Sequence, residues 1–395
     1  MTSLIPETEI WPLLAIIVVG VAFCIYLEQT FKWAAKISGP VLALVVAMVF
    51  SNLRIVPTSA PIYDVIDDYF VPVAVPLLLF QANLRRVLRQ TGPMFLTFHI
   101  ASMGSIIGAF AAAWLFRGTP RIEEIVGIMT GSYVGGGVNF VAIAQTYKVP
   151  SELTNPLIVA DNFIMAGFFL VLLIMAGSRL FRRWYPHPHS VDGAAEDSTV
   201  LAAQYWRRKE IALKDIAQAV ALAIAIVALS KWLSGMVKAQ TTSKLVGSLF
   251  GSPYVLITFF TTTLATVFPR MMERIHGAEE LGFYFLYLFF FVIGLRADLL
   301  AVIKNVPELF VICLIMAVAN LGFTLVVGRL FKLNLEDLLL SVNATLGGAP
   351  SAAAMAISAG WNKLVLPGVL AAIWGYVIGT FVGIVVAEAV RNWLH

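Results

Sequence analysis

Long apolar runs, separated by short polar or glycine-rich intervals, fill the chain almost from end to end. A membrane-spanning helix needs roughly 20 mostly apolar residues, and about a dozen stretches meet or approach that length. In the first half they cover 11–28, 37–53, 65–84, 92–116, 122–147 and 153–181. In the second half they cover 215–236, 252–269, 281–295, 306–331, 335–361 and 364–394. Backbone exposed to lipid must satisfy its hydrogen bonds within the segment, so these runs predict helices and an all-α polytopic membrane protein. Small residues recur at four-residue spacing in Gly104, Gly108 and Ala112, and again in Gly375, Gly379 and Gly383. That spacing predicts close helix-helix packing.

Between the halves lies the only long polar stretch, 182–214, with basic residues at both ends. The division expected is a first membrane repeat over 1–181, a linker over 182–214 and a second repeat over 215–395. Basic loops stay on the cytoplasmic side, which puts the linker and the loop carrying Arg85, Arg86 and Arg89 there. Three apolar segments lie between those two loops, and three crossings would put the loops on opposite sides. One of the three therefore fails to cross, and 122–147 is the natural choice because YVGGGVN interrupts it. If it enters and returns on one face, each half has about five crossings plus one re-entrant segment. An odd number inverts the second half, with both chain termini outside. A broken helix that does cross is the alternative. Arg296 and Lys304 fit the inverted scheme poorly, because they fall outside.

Composition narrows the class further. Apolar residues make up 59% and charged residues 13%, about half the charged share of a soluble domain; the mean hydropathy is +0.87. This excludes a water-soluble globule, a disordered chain and a nucleic-acid binder. The net charge of +4, from 27 basic and 23 acidic residues, reflects cytoplasmic loops rather than an acidic partner. Cys24 and Cys313 lie inside apolar segments and offer no disulfide framework or zinc spacing. Glu7 and Glu9, with no basic residue ahead of the first apolar run, argue against a cleavable signal peptide.

The halves read as copies. RIEEIVGIMTGSYVGGGVNFVAIAQ, beginning at Arg121, resembles NLEDLLLSVNATLGGAPSAAAMAIS, beginning at Asn334, once shifted by one residue so that Ile122 falls on Asn334. Glu124 falls on Glu336, Gly135 and Gly136 on Gly347 and Gly348, Asn139 on Ser351 and, further on, Gly167 on Gly379. A collinear series around two glycine-rich interruptions points to inverted repeats and a secondary transporter, whose site lies where the interruptions meet near mid-membrane. Non-helical backbone at that depth is tolerated only in a protein-lined or watery cavity.

Both interruptions combine glycines with short oxygen-bearing side chains. Unwound carbonyls with Thr130, Asn139, Asn343 and Thr345 suit a hard cation. Ser132, Gly136, Gly137, Gly347, Gly348 and Ser351 surround broken-helix N-termini that suit an anionic group. Asp161 and Asn162 follow in LIVADNFIM. A carboxylate within a span is expensive, so Asp161 is expected to hold Na+, carry a proton or pair with a basic solute group. Its repeat-equivalent is Ile373, with Trp374 beside it, so the second half would add an aromatic wall of Trp374 and Tyr376.

Other polar residues read as structural. His99 and Asn320 suggest helix-helix hydrogen bonds. Gln81, Asn83, Arg296 and Asp298 sit at matching helix ends, and Asp67 and Asp68 read as a solvated helix start. Glu388 reads as interfacial, and His187 with His189 is a weak metal motif. No G-x-S-x-G, HExxH or P-loop signature is present, so no enzyme and no organic cofactor are expected.

GSYVGGGVNFVAIAQ, LIVADNFIM, ATLGGAPSAAAMA and LPGVLAAIWGYVIGT resemble the YjcL-like family of bacterial and plastid membrane proteins, over nearly the whole chain. More distantly, the paired interruptions are similar to the GGxG hairpins of sodium/glutamate symporters and sodium/citrate carriers. Here they read GGGVN and GGAPS rather than GGNG. That resemblance implies two hairpin tips, at 135–139 and 347–351, and a homodimer with a rigid scaffold domain and a moving transport domain. The expectation is an inner-membrane secondary transporter that couples Na+ or H+ to a small carboxylate or amino-acid-like solute. Cation/proton antiport through Asp161 is the alternative within transport, and a membrane receptor or assembly subunit the alternative outside it.

Overall fold

A computed structural model describes residues 3–31, 39–189, 210–241, 244–296 and 299–394. Residues 190–209 of the predicted linker, and Asp298, lie outside the described residues. Among the described residues all regular structure is helical. The first half runs α1 (Ile10–Thr30), α2 (Gly39–Asn52), α3 (Pro61–Leu79), α4 (Leu84–Gln90), α5 (Pro93–Leu115), α6 (Ile122–Thr146), α7 (Ser151–Gly177) and α8 (Arg179–Trp184). The second runs α9 (Leu213–Gln240), α10 (Lys244–Phe250), α11 (Pro253–Val267), α12 (Pro269–Met272), α13 (Ala278–Leu295), α14 (Leu299–Leu330), α15 (Leu335–Ser358) and α16 (Val365–Leu394). Among the described residues nine helices are long and apolar enough to span a membrane, or up to ten if α3 and α4, bent by 46°, form one span.

The helices sort into two bundles. One contains α1, α2, α3, α9, α11 and α13; the other contains α5, α6, α7, α14, α15 and α16. Each bundle draws on both halves of the chain, so the halves are interleaved rather than side by side. The glycine stripes act as packing surfaces. A Cβ on Gly104 or Gly108 of α5 would come within 2.7 Å of the Cα of Asn320 or Met316 on α14. Gly375, Gly379 and Gly383 of α16 press in the same way on Val134, Gly131 and Gly127 of α6. No larger side chain fits at these positions without moving backbone.

α6 and α15 are hairpins by their contacts, although each is long enough to cross. The Arg121 guanidinium donates to the Tyr147 carbonyl at 3.0 Å, whereas a straight helix would separate those residues by roughly 40 Å. The Cβ position of Gly131 lies 3.5 Å from Asn139 Cβ and against Ile143 Cδ1 on the returning arm. The reversal occurs at Gly135 and Gly136; Gly136 has φ +69°, ψ −175°, a region open essentially to glycine alone. In α15, Ser351 Oγ donates to Asn343 Oδ1 at 3.0 Å, a pair that a straight helix would hold about 12 Å apart. Its reversal is at Gly348, with φ +72°, ψ −168°. Gly136 and Gly348, which align by sequence, thus share one backbone conformation.

The hairpins approach α16 from opposite ends. The base of α6 is tied to Glu388 and Arg391, whereas the arms of α15 bring Leu340 and Ala352 against Gly368. Those two levels on α16 are roughly 30 Å apart by helical rise, the thickness of a bilayer's hydrocarbon core. The tips meet in between: the Cβ position of Gly136 is 3.8 Å from Gly348 Cα and 3.3 Å from Tyr376 Cε1.

The loop contacts sort by molecular end. At one end, Leu4 bonds Arg54, Arg296 bonds Asp64 and Asp67, Thr119 bonds Glu308, and Arg391 pairs with Glu123 and Glu124. At the other, Arg86 pairs with Glu273, Leu335 bonds the Pro186 carbonyl and His189 bonds Glu336. Asn83 caps α4 through the amides of Arg85 and Arg86.

Asp67, expected as a solvated helix start, is not one. It lies in a π-helical turn, Ile66–Phe70, and pairs with Arg296 at 2.8 Å with its side chain only 13% exposed. An arginine ending an apolar helix needs local counterions, and α3 supplies Asp67 and Asp64 because it packs on α13. The same pairing neutralises the Arg296 charge that fitted poorly with the sequence topology.

Candidate functional site

Where the tips meet, α16 supplies Tyr376. Its hydroxyl accepts from the Ala349 amide at 3.0 Å, and its ring backs both Gly136 and Gly348. Gly137 is exposed, with open space around its Cβ position, and Gly347 is half-buried beside Met165 of α7.

Asp161 reaches the first hairpin from α7. One carboxylate oxygen accepts from Ser132 Oγ at 2.8 Å, and the other is buried with no partner at hydrogen-bond length among the described residues. The hydroxyl of Tyr133 is also buried without a partner at hydrogen-bond length and faces Asp161 and Cys313. No cationic side chain among the described residues is one of the groups acting on Asp161. Sequence pattern did not single out Tyr133 because it reads as one more apolar-run aromatic. Asn162 is half-buried and donates to the Ile158 carbonyl at 2.9 Å.

Asn139 closes the first tip. Its Nδ2 donates to the Gly135 carbonyl at 2.6 Å, and its Oδ1 accepts from Thr380 at 2.6 Å. The aligned Ser351 ties the arms of the second hairpin through Asn343, whose Nδ2 is buried and unpartnered. These residues shape the tips.

Three predicted site residues have hydrogen-bond partners outside the tip glycines. Thr130 bonds back to the Val126 carbonyl of its own arm at 2.7 Å. Thr345 accepts from Asn320 Nδ2 at 3.0 Å. Trp374 donates to His99 Nε2 at 3.1 Å and lies near Phe95, so its ring faces α5. Tyr376, the other residue of the expected aromatic wall, is on another face of the helix, and its ring lies against both tips.

Two polar networks hold the hairpins. Asn320 Nδ2 also donates to Ser105 Oγ at 2.8 Å, and Ser105 donates to the Tyr133 carbonyl at 3.0 Å. The first arms of both hairpins are thereby linked across the α5–α14 contact. At the base of the first hairpin, Glu388 is buried and accepts from Tyr147 and Arg391 at 2.9 and 2.8 Å. Burial, and then the Glu388 carboxylate, pushes the Tyr147 phenol above its ordinary value, which keeps it a donor. Asn155, one turn pair before Asp161, is fully buried and donates to the Ile293 carbonyl at 3.1 Å; the Asn-Pro pair inside an apolar run was its signal. Among the described residues no three His, Cys, Asp or Glu side chains come together as a metal site. His187 instead faces the Tyr185 carbonyl, and the His189 amide bonds Glu336.

Residues 15–393 match the family described as "Protein of unknown function (DUF819)". The chain belongs to this DUF819 family. It is also similar to a protein of Bacillus subtilis (strain 168) described as "Uncharacterized membrane protein YjcL", with 41% identity over 385 residues, covering 97% of each chain. The YjcL-like resemblance read from the glycine-rich motifs therefore holds along the full membrane region, and a membrane protein is what the relative's description also states.

Proposed function

We propose that the chain is a secondary active transporter that couples a Na+ or H+ gradient to the movement of a small organic solute, carboxylate or amino-acid-like, by alternating access. The observation that carries this reading is the meeting of two re-entrant tips, entering from opposite ends of α16, beside a carboxylate with one unpartnered oxygen. Interrupted backbone at mid-membrane is tolerated where it lines a cavity, and inverted repeats place a transport site at such a junction. The matched backbone at Gly136 and Gly348 supports the repeat, and the two bundles supply the parts that alternating access needs. The more distant likeness to sodium/glutamate symporters and sodium/citrate carriers belongs to the same reading, as does a homodimer.

Cation/proton antiport is the second reading. It is favoured by Asp161 itself, which has no cationic neighbour among the described residues to neutralise it.

Ion and solute dependence of thermal stability tests both. Purified protein is melted at acidic and alkaline pH, in Na+ or K+, across amino acids, dicarboxylates and dipeptides. A ligand that binds only the folded state raises the melting temperature by mass action. Symport predicts a shift that needs both ion and solute, and antiport a shift with ion alone. Indifference to every ion and pH would overturn coupling.

The basic segment around α8 belongs on the cytoplasmic side of the plasma membrane and both termini outside. An impermeant thiol reagent is then expected to label Thr8→Cys and Asn392→Cys in intact cells, but His187→Cys only after permeabilisation. Cys24 and Cys313 are buried and give little background. Labelling of all three from one side would sink this topology.

A further inference from the structure

A cavity of about 610 Å³ opens at the end of the molecule where α5, the base of the α6 hairpin and α16 come together. Trp114, Arg117, Thr119, Arg121, Glu123 and Trp393 line it. It is separate from the hairpin tips, which lie about half the length of α16 away. α5 ends at Leu115 and α16 at Leu394, so these residues stand where the spans leave the hydrocarbon core. Trp114 and Trp393 are more than half exposed, the placement of aromatic residues that meet lipid headgroups.

The charges in the lining are unequal in availability. Arg121 is held by Glu124 and the Tyr147 carbonyl, and Glu123 by Arg391. Arg117 is exposed and is the one cation of the lining with no partner among the described residues. A free guanidinium between two interfacial tryptophans matches a phosphate carried on an acyl-chain anchor. Guanidinium binds phosphate oxygens in a fork, and the two indoles, with Phe110 5.7 Å from Trp393 between ring centroids, would offer apolar surface to the chains.

We infer that this cavity is a binding site for the headgroup of an anionic phospholipid, with Arg117 as the phosphate ligand. Its position gives it a consequence. Arg121, the residue that opens the first arm, has φ +60° and lines the same cavity, so an occupied site would brace the base of the first hairpin.

Melting of the full chain in neutral detergent tests this, with phosphatidylglycerol, phosphatidylcholine of the same acyl chains, or soluble glycerol phosphate added. Phosphatidylglycerol is expected to raise the melting temperature and the other two not to. Arg117→Gln should weaken that response by about tenfold or more, as loss of a charge-assisted hydrogen bond implies, without changing the melting temperature in detergent alone. Arg117→Lys should retain part of it. An equal response to phosphatidylcholine, an equal response to glycerol phosphate, or an undiminished response in Arg117→Gln would overturn the site. No solute or ion gradient enters the measurement, so its outcome is independent of the transport reading.

Discussion

Replacing Gly375 by alanine is expected to lower the melting temperature sharply, whereas Gly137→Ala leaves it unchanged. At Gly375 an added Cβ would overlap the Val134 carbonyl oxygen and sit 2.8 Å from Phe98 Cζ and 3.2 Å from Gly135 Cα. Two of those three obstacles are backbone, in the last turn before the first tip. A flexible side chain could swing aside, but here α16 and α6 must separate. Overpacking of a tight interior costs about 1–3 kcal/mol, and more where backbone must move. A loss of about 3 kcal/mol or more is therefore expected for Gly375→Ala. Gly137, next after the reversal, has nothing within 4 Å of its Cβ position and no positive φ. Melting curves of the two variants beside the wild type decide the matter. Equal stability would mean that α16 does not seat the hairpin as described.

Asp161→Asn is expected to abolish the response to Na+ or pH without weakening the protein in their absence. Asparagine keeps the shape and still offers Ser132 an acceptor oxygen at the place where Asp161 accepts at 2.8 Å. It removes a charge that, among the described residues, has one buried oxygen without a partner and no cationic neighbour. Relief of an uncompensated charge is neutral or stabilising, by about 1 kcal/mol or more. The wild type should instead gain about 2.7 kcal/mol when the coupling ion is present at about a hundred times its dissociation constant. The signature is thus a pair of opposite changes: an unchanged or raised melting temperature without ion, and no further rise with it. A structural aspartate would give a lower melting temperature and an intact ion response. That result would end both transport readings that use Asp161.

Much of the architecture was legible along the chain. With the Arg85–Arg89 loop and the basic linker both taken as cytoplasmic, parity led to the expectation that one segment of the first half turns back, and the glycine-rich run was the candidate. Arg121 bonding Tyr147, and Ser351 bonding Asn343, are the contacts of such turns. Glycine identity carried this information because the reversal needs a backbone conformation that other residues resist. The four-residue glycine spacing on α16 was legible for the same reason, as a surface where nothing larger fits. The polar residues were less legible. Thr130 and Thr345 have the oxygen that a cation site wants, yet one bonds its own arm and the other Asn320. Trp374 adjoins Tyr376 in sequence but faces His99.

Local composition and segment length were enough to dictate an all-helical membrane chain, the places where its helices must break, and the small-residue stripes. A run of apolar residues long enough to cross, or a glycine where φ must be positive, has few alternatives. Which side chains face one another was a matter of packing, out of reach of any local pattern. A helix turns 100° per residue, so neighbours in sequence point to different partners, and those partners come from the other half of the chain. Asp67 found Arg296, Tyr147 found Glu388, and Tyr376 came to stand behind both tips, because interleaved bundles brought distant helices together.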